Sequence, residues 1–405
     1  MSIIRRIFFF LFISFFLVSL RLPDDYDVVY LTYTQDPSTS ISVLWHAPLS
    51  QTESKLLYRL KGSSDWLEVQ GRVIRIEKWD HSIHRFDLAN LKANQYYEFH
   101  CSNPLAVHLF RTLPSDLHEK DLKIAIGGDA FRSLPSFQKM NQVIAAEDPD
   151  FVVVGGDIAY TIGAKRVLFK KDNWELKRWV TFFSEWTKTM VGKDGRLIPI
   201  VPVVGNHDVP PKQVDPRTNA ILFYDLFAFT QDNIPYRTLD ISNYLSLFLL
   251  DTGHSYPIEG RQTDWLQSAL LERRDVPYKF AAYHISAYPS VYKYNKDTSQ
   301  KIRQYWSPLF EESGVQLAFE HHNHAYKRTF PIKNEKVDPN GVVYIGDGCW
   351  GVSARAPFNA WYLEKKMKQA CMNFIHLSKD RCDVSVLGLN GTLLDSMSGV
   401  GKSEK

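Results

Sequence analysis

Five short apolar runs in this chain each end, within three residues, on a side chain that binds metals. Leu122-Lys-Ile-Ala-Ile-Gly-Gly leads into Asp129, and Phe151-Val-Val-Val-Gly-Gly leads into Asp157. Leu197 to Gly205 leads into Asn206-His207-Asp208. Tyr278-Lys-Phe-Ala-Ala-Tyr ends at His284, and Val315-Gln-Leu-Ala-Phe-Glu ends at His321-His322-Asn-His324. Runs this short, β-branched and flanked by Gly read as buried strands rather than helices. Open α/β sheets bind ligands at the carboxyl ends of their strands. Five strands therefore deliver Asp, Asp, Asn, His and paired His to one rim, the donor set of a metal centre.

The rest of the chain frames that rim. A length of 405 residues exceeds one ordinary core, so two domains are expected. Lys and Arg (48) nearly balance Asp and Glu (45) and form no basic stripe, so the charge pattern gives no support to nucleic-acid binding as the main role. At the N-terminus Arg5-Arg6 precedes the apolar run Ile7 to Val18, a charged region and a hydrophobic region of signal-peptide length. The run is shorter than the ~20 residues that span a bilayer, and Val18-Ser-Leu-Arg21 is a poor cleavage site. Residues 1–22 are thus a signal peptide or an N-terminal membrane anchor, and an exported location (secreted, periplasmic or anchored facing outside the cytoplasm) is expected. Cys101, Cys349, Cys371 and Cys382 would permit disulfides there. None forms a Cys-x-x-Cys pair, and the hairpin expected around Lys379-Asp380 does not set Cys371 opposite Cys382, so no bridge is assigned.

From residue 24 to 114 the text is strand and turn. Ile41-Ser-Val-Leu-Trp45, Leu56 to Leu60, Trp66-Leu-Glu-Val69 and Tyr96-Tyr-Glu-Phe99 are separated by Pro, Ser, Asp and Gly. About seven short strands with an inward Trp describe an immunoglobulin-like sandwich, and Leu88 to Phe99 resembles the late strands of a fibronectin type III domain. From 120 to 397 strands alternate with helices, an α/β layer pattern. Leu134 to Glu147 and Trp174 to Met190 are helix candidates, the second with Trp179, Phe182, Phe183, Trp186 and Met190 at core-facing spacing. A third opens near Gln262 and a fourth runs from Gln300 to Glu312. Residues 398–405 form a polar tail.

A single Gly-Asp after a strand is usually a turn. The joint occurrence of Gly128-Asp129, Gly156-Asp157-Ile-Ala-Tyr160, Gly205-Asn-His-Asp208, Tyr283-His284 and His322-Asn-His324 is not explained by turns. These residues resemble the metallophosphoesterase superfamily and, within it, the purple acid phosphatases. Tyr160 discriminates: most of the superfamily begins with Asp-x-His, whereas Phe131 stands at that His position here, and the purple acid phosphatases likewise lack the His and use a Tyr three residues beyond the second Asp. The resemblance implies a metallophosphoesterase fold of αββα layers behind the all-β sandwich. It also implies Asp129, Asp157, Tyr160 and His324 on one metal, and Asp157, Asn206, His284 and His322 on the second, with Asp157 bridging. A phenolate with two carboxylates suits Fe(III), and the second donor set suits Fe(II), Zn or Mn. His207, adjacent to Asn206, would serve as a donor to phosphate or to the leaving group. The implied activity is hydrolysis of phosphate monoesters, as in acid phosphatases, by hydroxide generated on the dinuclear centre, with a small phosphorylated substrate as partner. Nothing in the residues sets an oligomeric state.

This chain departs from the pattern at three places. Phe131 replaces a Gly of the first motif, and His321 replaces the Gly of Gly-His-x-His, so that turn must carry a Cβ. No second substrate-facing histidine follows His284; the candidates to replace it are Tyr288, Tyr292, Lys293, Tyr294 and Lys296. Two rivals stay open on this reading: a phosphodiesterase on the same metals, and an exported binding protein without catalysis, against which the seven intact ligands count. Asn390-Gly-Thr392 is a sequon or a hairpin turn. His254 reads as a loop residue, and Gly348-Cys-Trp-Gly351 as a pocket wall or a strand-end turn.

Overall fold

The computed structural model describes residues 28–101, 106–162, 174–210, 221–229, 234–346 and 348–401. The N-terminal segment 1–22 and the last four residues of the tail lie outside the described residues. Among those described, no helix is long and apolar enough to cross a membrane.

The first part is a sandwich of two four-stranded sheets. Its strands are β1 (Val28–Thr32), β2 (Ile41–Pro48), β3 (Lys55–Leu60), β4 (Leu67–Gln70), β5 (Arg72–Arg75), β6 (His81–Leu88), β7 (Tyr96–His100) and β8 (His108–Arg111). One sheet runs β1-β2-β6-β5 and the other β4-β3-β7-β8, all antiparallel. The eight strands are one more than the roughly seven expected. After β4 the chain changes sheets at Gly71 and continues as β5; an added Cβ at Gly71 would lie 2.4 Å from both the Phe86 ring and Ser54 Oγ. Only Gly allows the backbone to pass that close.

The second part begins with β9 (Leu122–Gly127), α1 (Leu134–Glu147), β10 (Phe151–Gly155), α2 (Trp174–Thr189) and β11 (Ile200–Val203). It continues with α3 (Ile221–Leu226), β12 (Arg237–Ile241), β13 (Leu245–Leu249), α4 (Arg261–Glu272), β14 (Tyr278–Tyr283), α5 (Asp297–Tyr305) and α6 (Ser307–Glu312). The remaining strands are β15 (Leu317–Glu320), β16 (Tyr326–Thr329), β17 (Ile332–Lys333), β18 (Lys336–Val337), β19 (Val343–Gly346), β20 (Leu363–Met367), β21 (Cys371–Leu377), β22 (Cys382–Gly388) and β23 (Leu393–Met397). A six-stranded sheet, β11-β10-β9-β21-β22-β23, and a seven-stranded sheet, β12-β13-β14-β15-β19-β16-β20, carry the site.

Side-chain alternation decides the layers. Ile124 and Ile126 of β9, Phe151 and Val153 of β10, Phe280 of β14 and Phe319 of β15 share one core between the sheets. The alternate residues Ala125, Val152 and Val154 pack instead against α1 and α2 through Phe137, Ile144, Phe182 and Trp186. On the other side Ala281, Tyr283 and Ala318 pack against Leu266, Ile302 and Phe310 of α4 to α6. Because strand side chains point to opposite faces in turn, two-sided burial yields helix, sheet, sheet and helix in that order.

The expected helix Gln300–Glu312 is two helices. The break falls at Trp306, and Pro308 explains it: its ring excludes a hydrogen bond and crowds the preceding turn, while suiting the start of α6. In the β21–β22 hairpin Cys371 lies opposite Gly388 and Leu377 opposite Cys382. The sandwich docks on α2: the Tyr30 ring stacks on Phe183 at 3.8 Å, and its hydroxyl donates to the Leu226 carbonyl at 2.7 Å. Buried His46 completes this seam, with Nε2 3.2 Å from the Tyr30 hydroxyl and its ring edge-on to Trp79 and Phe183.

Candidate metal centre

All five runs are strands, and the parallel members β9, β10 and β11 of one sheet and β14 and β15 of the other end on the same side of the molecule. The chain then turns sharply. Asp129, Asp157, Tyr160, His322 and His324 all adopt left-handed backbone, with φ of 58°, 53°, 52°, 68° and 56°. Non-glycine residues in this region cost roughly 1–3 kcal/mol each and cluster at functional sites. Asp and His tolerate it better than the bulky Tyr160.

The positive φ in the last motif falls on His322, not on His321. His321 instead sends a buried ring beneath the strand tips, where a Cβ on Gly155 would lie 1.8 Å from its Nε2 and one on Gly128 2.6 Å from its Cγ. The two glycines thus make room for the histidine that replaces the usual Gly. Phe131 turns into the core against Phe137 and Phe182, with the Arg178 guanidinium 4.7 Å over its ring.

Two groups of donors meet at the rim. In the first, buried Asp129 accepts the Tyr160 hydroxyl at 2.6 Å and His324 Nε2 at 2.8 Å on Oδ1, and the His322 backbone N–H at 2.9 Å on Oδ2. In the second, the His284 Nδ1–H donates to the Gly155 carbonyl at 2.9 Å, which directs Nε2 into the site. That nitrogen lies 3.2 Å from Asn206 Oδ1, 3.2 Å from His322 Nδ1 and 3.3 Å from Asp157 Oδ2. Asp157 Oδ1 accepts the His207 backbone N–H at 2.7 Å, whereas Oδ2 is buried and accepts no hydrogen bond.

Lone pairs from a carboxylate, an amide oxygen and two imidazoles therefore converge on one space, and the ligand atoms of Asp157, His284 and His322 lie within 4.8 Å of one another. A buried carboxylate oxygen whose nearest nitrogen stands 3.3 Å away is poorly paired, and a cation would meet it better. The protein alone answers with protons. Burial disfavours charge on His284, but Asp157 and Asp129 outweigh it and push the imidazole up to about 10. Burial and the charge of His284 together push His322 down to about 3. Burial opposes ionisation of Asp129 and Asp157 too, yet the surrounding histidines hold both carboxyls below their ordinary range. Burial, then Asp129 and Asp157, hold the Tyr160 phenol far above its ordinary range.

His207 sits across the rim. Its Nδ1–H donates to the Ile162 carbonyl, its ring stacks on Tyr160 at 4.7 Å, and its Nε2 is 3.8 Å from Asp157 Oδ2. Of the candidates beyond His284, Tyr288 and Tyr294 belong to an aromatic cluster with Tyr344, Tyr362 and Arg303. Lys293 is exposed, and of these candidates Tyr292 alone stacks on His322, with centroids 5.0 Å apart. His254 lies in a loop after β13, its ring edge-on to His284 at 5.6 Å. Residues Gly348–Gly351 back the first turn: the Trp350 and Gly351 N–H groups donate to the Gly128 and Asp129 carbonyls, and Cys349 packs on Tyr160.

Three supporting roles were not read from the sequence, although two of the residues lie within the quoted motifs. Asp208 accepts the N–H groups of Ile158 and Gly205 at 2.8 and 2.9 Å, tying the second and third strand tips together, and burial with nearby Asp157 pushes its carboxyl up to about 8. Asn323, between the paired histidines, accepts the N–H groups of Ser290 and Val291 and donates to Ser286. Glu320 accepts the Ala287 N–H and the Tyr283 hydroxyl and pairs with buried Lys327. Each is a polar residue at a strand end, the signal that could have marked it.

Two sequence families match the chain: the purple acid phosphatase N-terminal domain over residues 27–112 and the calcineurin-like phosphoesterases over residues 114–326. Purple acid phosphatase 15 of Arabidopsis thaliana is 23% identical over 287 residues, covering 66% of this chain and 53% of that protein. Purple acid phosphatase 23 of the same plant is 25% identical over 349 residues, covering 77% and 72%. The chain thus spans only about half the length of the first of these relatives. The purple acid phosphatase PPD1 from yellow lupin (Lupinus luteus) seeds has a similar fold, with a TM-score of 0.78 at 14% identity, over 92% of this chain and 73% of that one.

Proposed function

The chain belongs to the calcineurin-like phosphoesterases and within them to the purple acid phosphatases, and from that premise we propose that it hydrolyses phosphate monoesters at a dinuclear metal centre on the strand-end rim. The observation that carries this is Asp157, whose buried Oδ2 accepts no hydrogen bond among the converging donors of His284, His322 and Asn206.

Asp129, Asp157, Tyr160 and His324 would hold one ion, and Asp157, Asn206, His284 and His322 the other. The hard, anionic first set suits Fe(III), and the second set a divalent Fe, Zn or Mn. When bound there, two cations would supply a nucleophile from water at acid to neutral pH and would neutralise charge on the phosphoryl oxygens.

The protein's own part is positioning and proton transfer. The Ile162 carbonyl holds the proton on His207 Nδ1, so a protonated His207 presents its Nε2–H toward the substrate. It steadies a phosphoryl oxygen or protonates the departing alkoxide. Stacking on Tyr160 fixes the imidazole plane. Arg132, with its guanidinium 5.6 Å over the Tyr160 ring, adds positive charge to the rim, favouring an anionic substrate. Arg5-Arg6 and the apolar run after it support an exported location.

Metal analysis of the purified protein, joined to turnover of matched monoesters and diesters across pH, tests the reading. Two ions per chain with monoester turnover are expected. A protein that takes up no metal, or one that cleaves only diesters, would overturn it.

A further inference from the structure

The rim next to His322 carries charges that the ligand set does not use. The Arg355 guanidinium donates to the Tyr292 hydroxyl, and the Tyr292 ring stacks on His322 at an interplanar angle of 26°. Lys296 Nζ lies 4.3 Å from the centroid of the same ring. Among the described residues no carboxylate pairs with Arg355 or Lys296, although both stand beside a site containing two carboxylates. Their loops are held in place: the Arg355 N–H donates to the His324 carbonyl at 2.7 Å, and the Phe358 N–H to the Ser290 carbonyl at 2.8 Å. The Asn323 side chain fixes the Ser290–Val291 turn that leads to Tyr292.

We propose that Arg355 and Lys296, with Tyr292 as the positioning residue, form an anion subsite that selects phosphoesters whose leaving group carries a second anionic group, a carboxylate or another phosphate. This rests on the phosphoesterase reading of the site. Tyr292 and Lys296 stand in the segment after His284 that contains no second histidine, and Arg355 joins them from the loop between β19 and β20. Arg355 is anchored to the Tyr292 hydroxyl with its guanidinium carbon 5.5 Å from the ring centroid, so its charge lies beside the ring that stacks on His322. A phosphoryl group at the ligands would leave its alcohol portion there. The planar guanidinium suits paired oxygens of either anion.

The test uses the metal-loaded full chain and two matched pairs. Turnover compares 3-phosphoglycerate with glycerol 3-phosphate, and calorimetry compares 3-phosphonopropionate with propylphosphonate, which is not hydrolysed. The wild type should favour the carboxylate-bearing member of each pair. Arg355→Gln should lower both preference ratios about tenfold, the value of one charge-assisted hydrogen bond, with the loss in KM rather than kcat. Tyr292→Phe should lower them partway, and Arg355→Lys should retain part of the preference. Exposed Lys296→Gln provides a second variant should Arg355→Gln fold poorly. Ratios near one in the wild type, or unchanged in both Gln variants, would overturn the subsite. Should neither ester turn over, the phosphoesterase reading fails, while the phosphonate ratio still decides the subsite.

Discussion

The Tyr160 hydroxyl donates to Asp129 Oδ1 across 2.6 Å, joining the turn after one strand to the turn after its neighbour. The same carboxylate oxygen accepts His324 Nε2 from the opposite sheet. Three polar groups therefore share one short space, one of them a phenol that burial keeps protonated.

Loading with Fe(III) should ionise Tyr160 and produce a visible phenolate-to-iron charge-transfer band. Tyr160→Phe should abolish the band while iron content falls by less than half, since three other ligands remain. Absorption spectra with metal analysis check this. A colourless, fully active wild type holding only divalent ions would place Tyr160 outside the metal's ligands.

Asp157→Ala should lose both ions and all hydrolysis, because Asp157 is the ligand proposed to be shared by the two ions. Metal stoichiometry reads the result directly. A variant with two ions per chain would show that Asp157 does not bridge.

His207→Ala should slow alkyl phosphates far more than aryl phosphates with good leaving groups. General acid assistance contributes roughly 10²–10⁴-fold, mostly where the leaving group is poor. Equal losses on both esters would leave His207 with phosphate orientation alone.

His46 sets an acid limit on the seam between the domains. Burial, then the neighbouring charge of His81, pushes its imidazole down to about 3 from 6.5. Between those values the unfolded chain takes up a proton that the folded one refuses. Stability is therefore full above about pH 6.5 and falls as pH drops toward 3, by up to about 1.4 kcal/mol per pH unit. Denaturation midpoints at pH 7.5 and 4.5 should separate less in His46→Gln than in the wild type. Equal separations would remove His46 from the acid response.

Much of this was legible in local text because the period of a strand is short and its end is punctuated. Alternation at Ile124-Ala-Ile126 and Phe151-Val-Val153, each closed by glycines and an Asp, specifies a strand, two buried faces and a turn. The Phe131 and Tyr160 exchange distinguished one branch of a superfamily from the rest. Gly71 and Pro308 acted where propensity was ambiguous, so β5 and the split of α5 from α6 appeared only in three dimensions.

What the sequence determined by itself is the set of strand-end donors and the order in which the chain presents them. Which donors share a space depended on two sheets packing face to face, since His284 and Asp157 are separated by more than a hundred residues and meet at 3.3 Å only because β10 and β14 end on one rim. The same holds for His321 filling the space that Gly128 and Gly155 leave, and for Arg355 reaching Tyr292 from a distant loop. Residues near one another in the chain signal through periodicity and turn chemistry. Those brought together by core packing have no local signature, because the energy that joins them comes from burying the layers between.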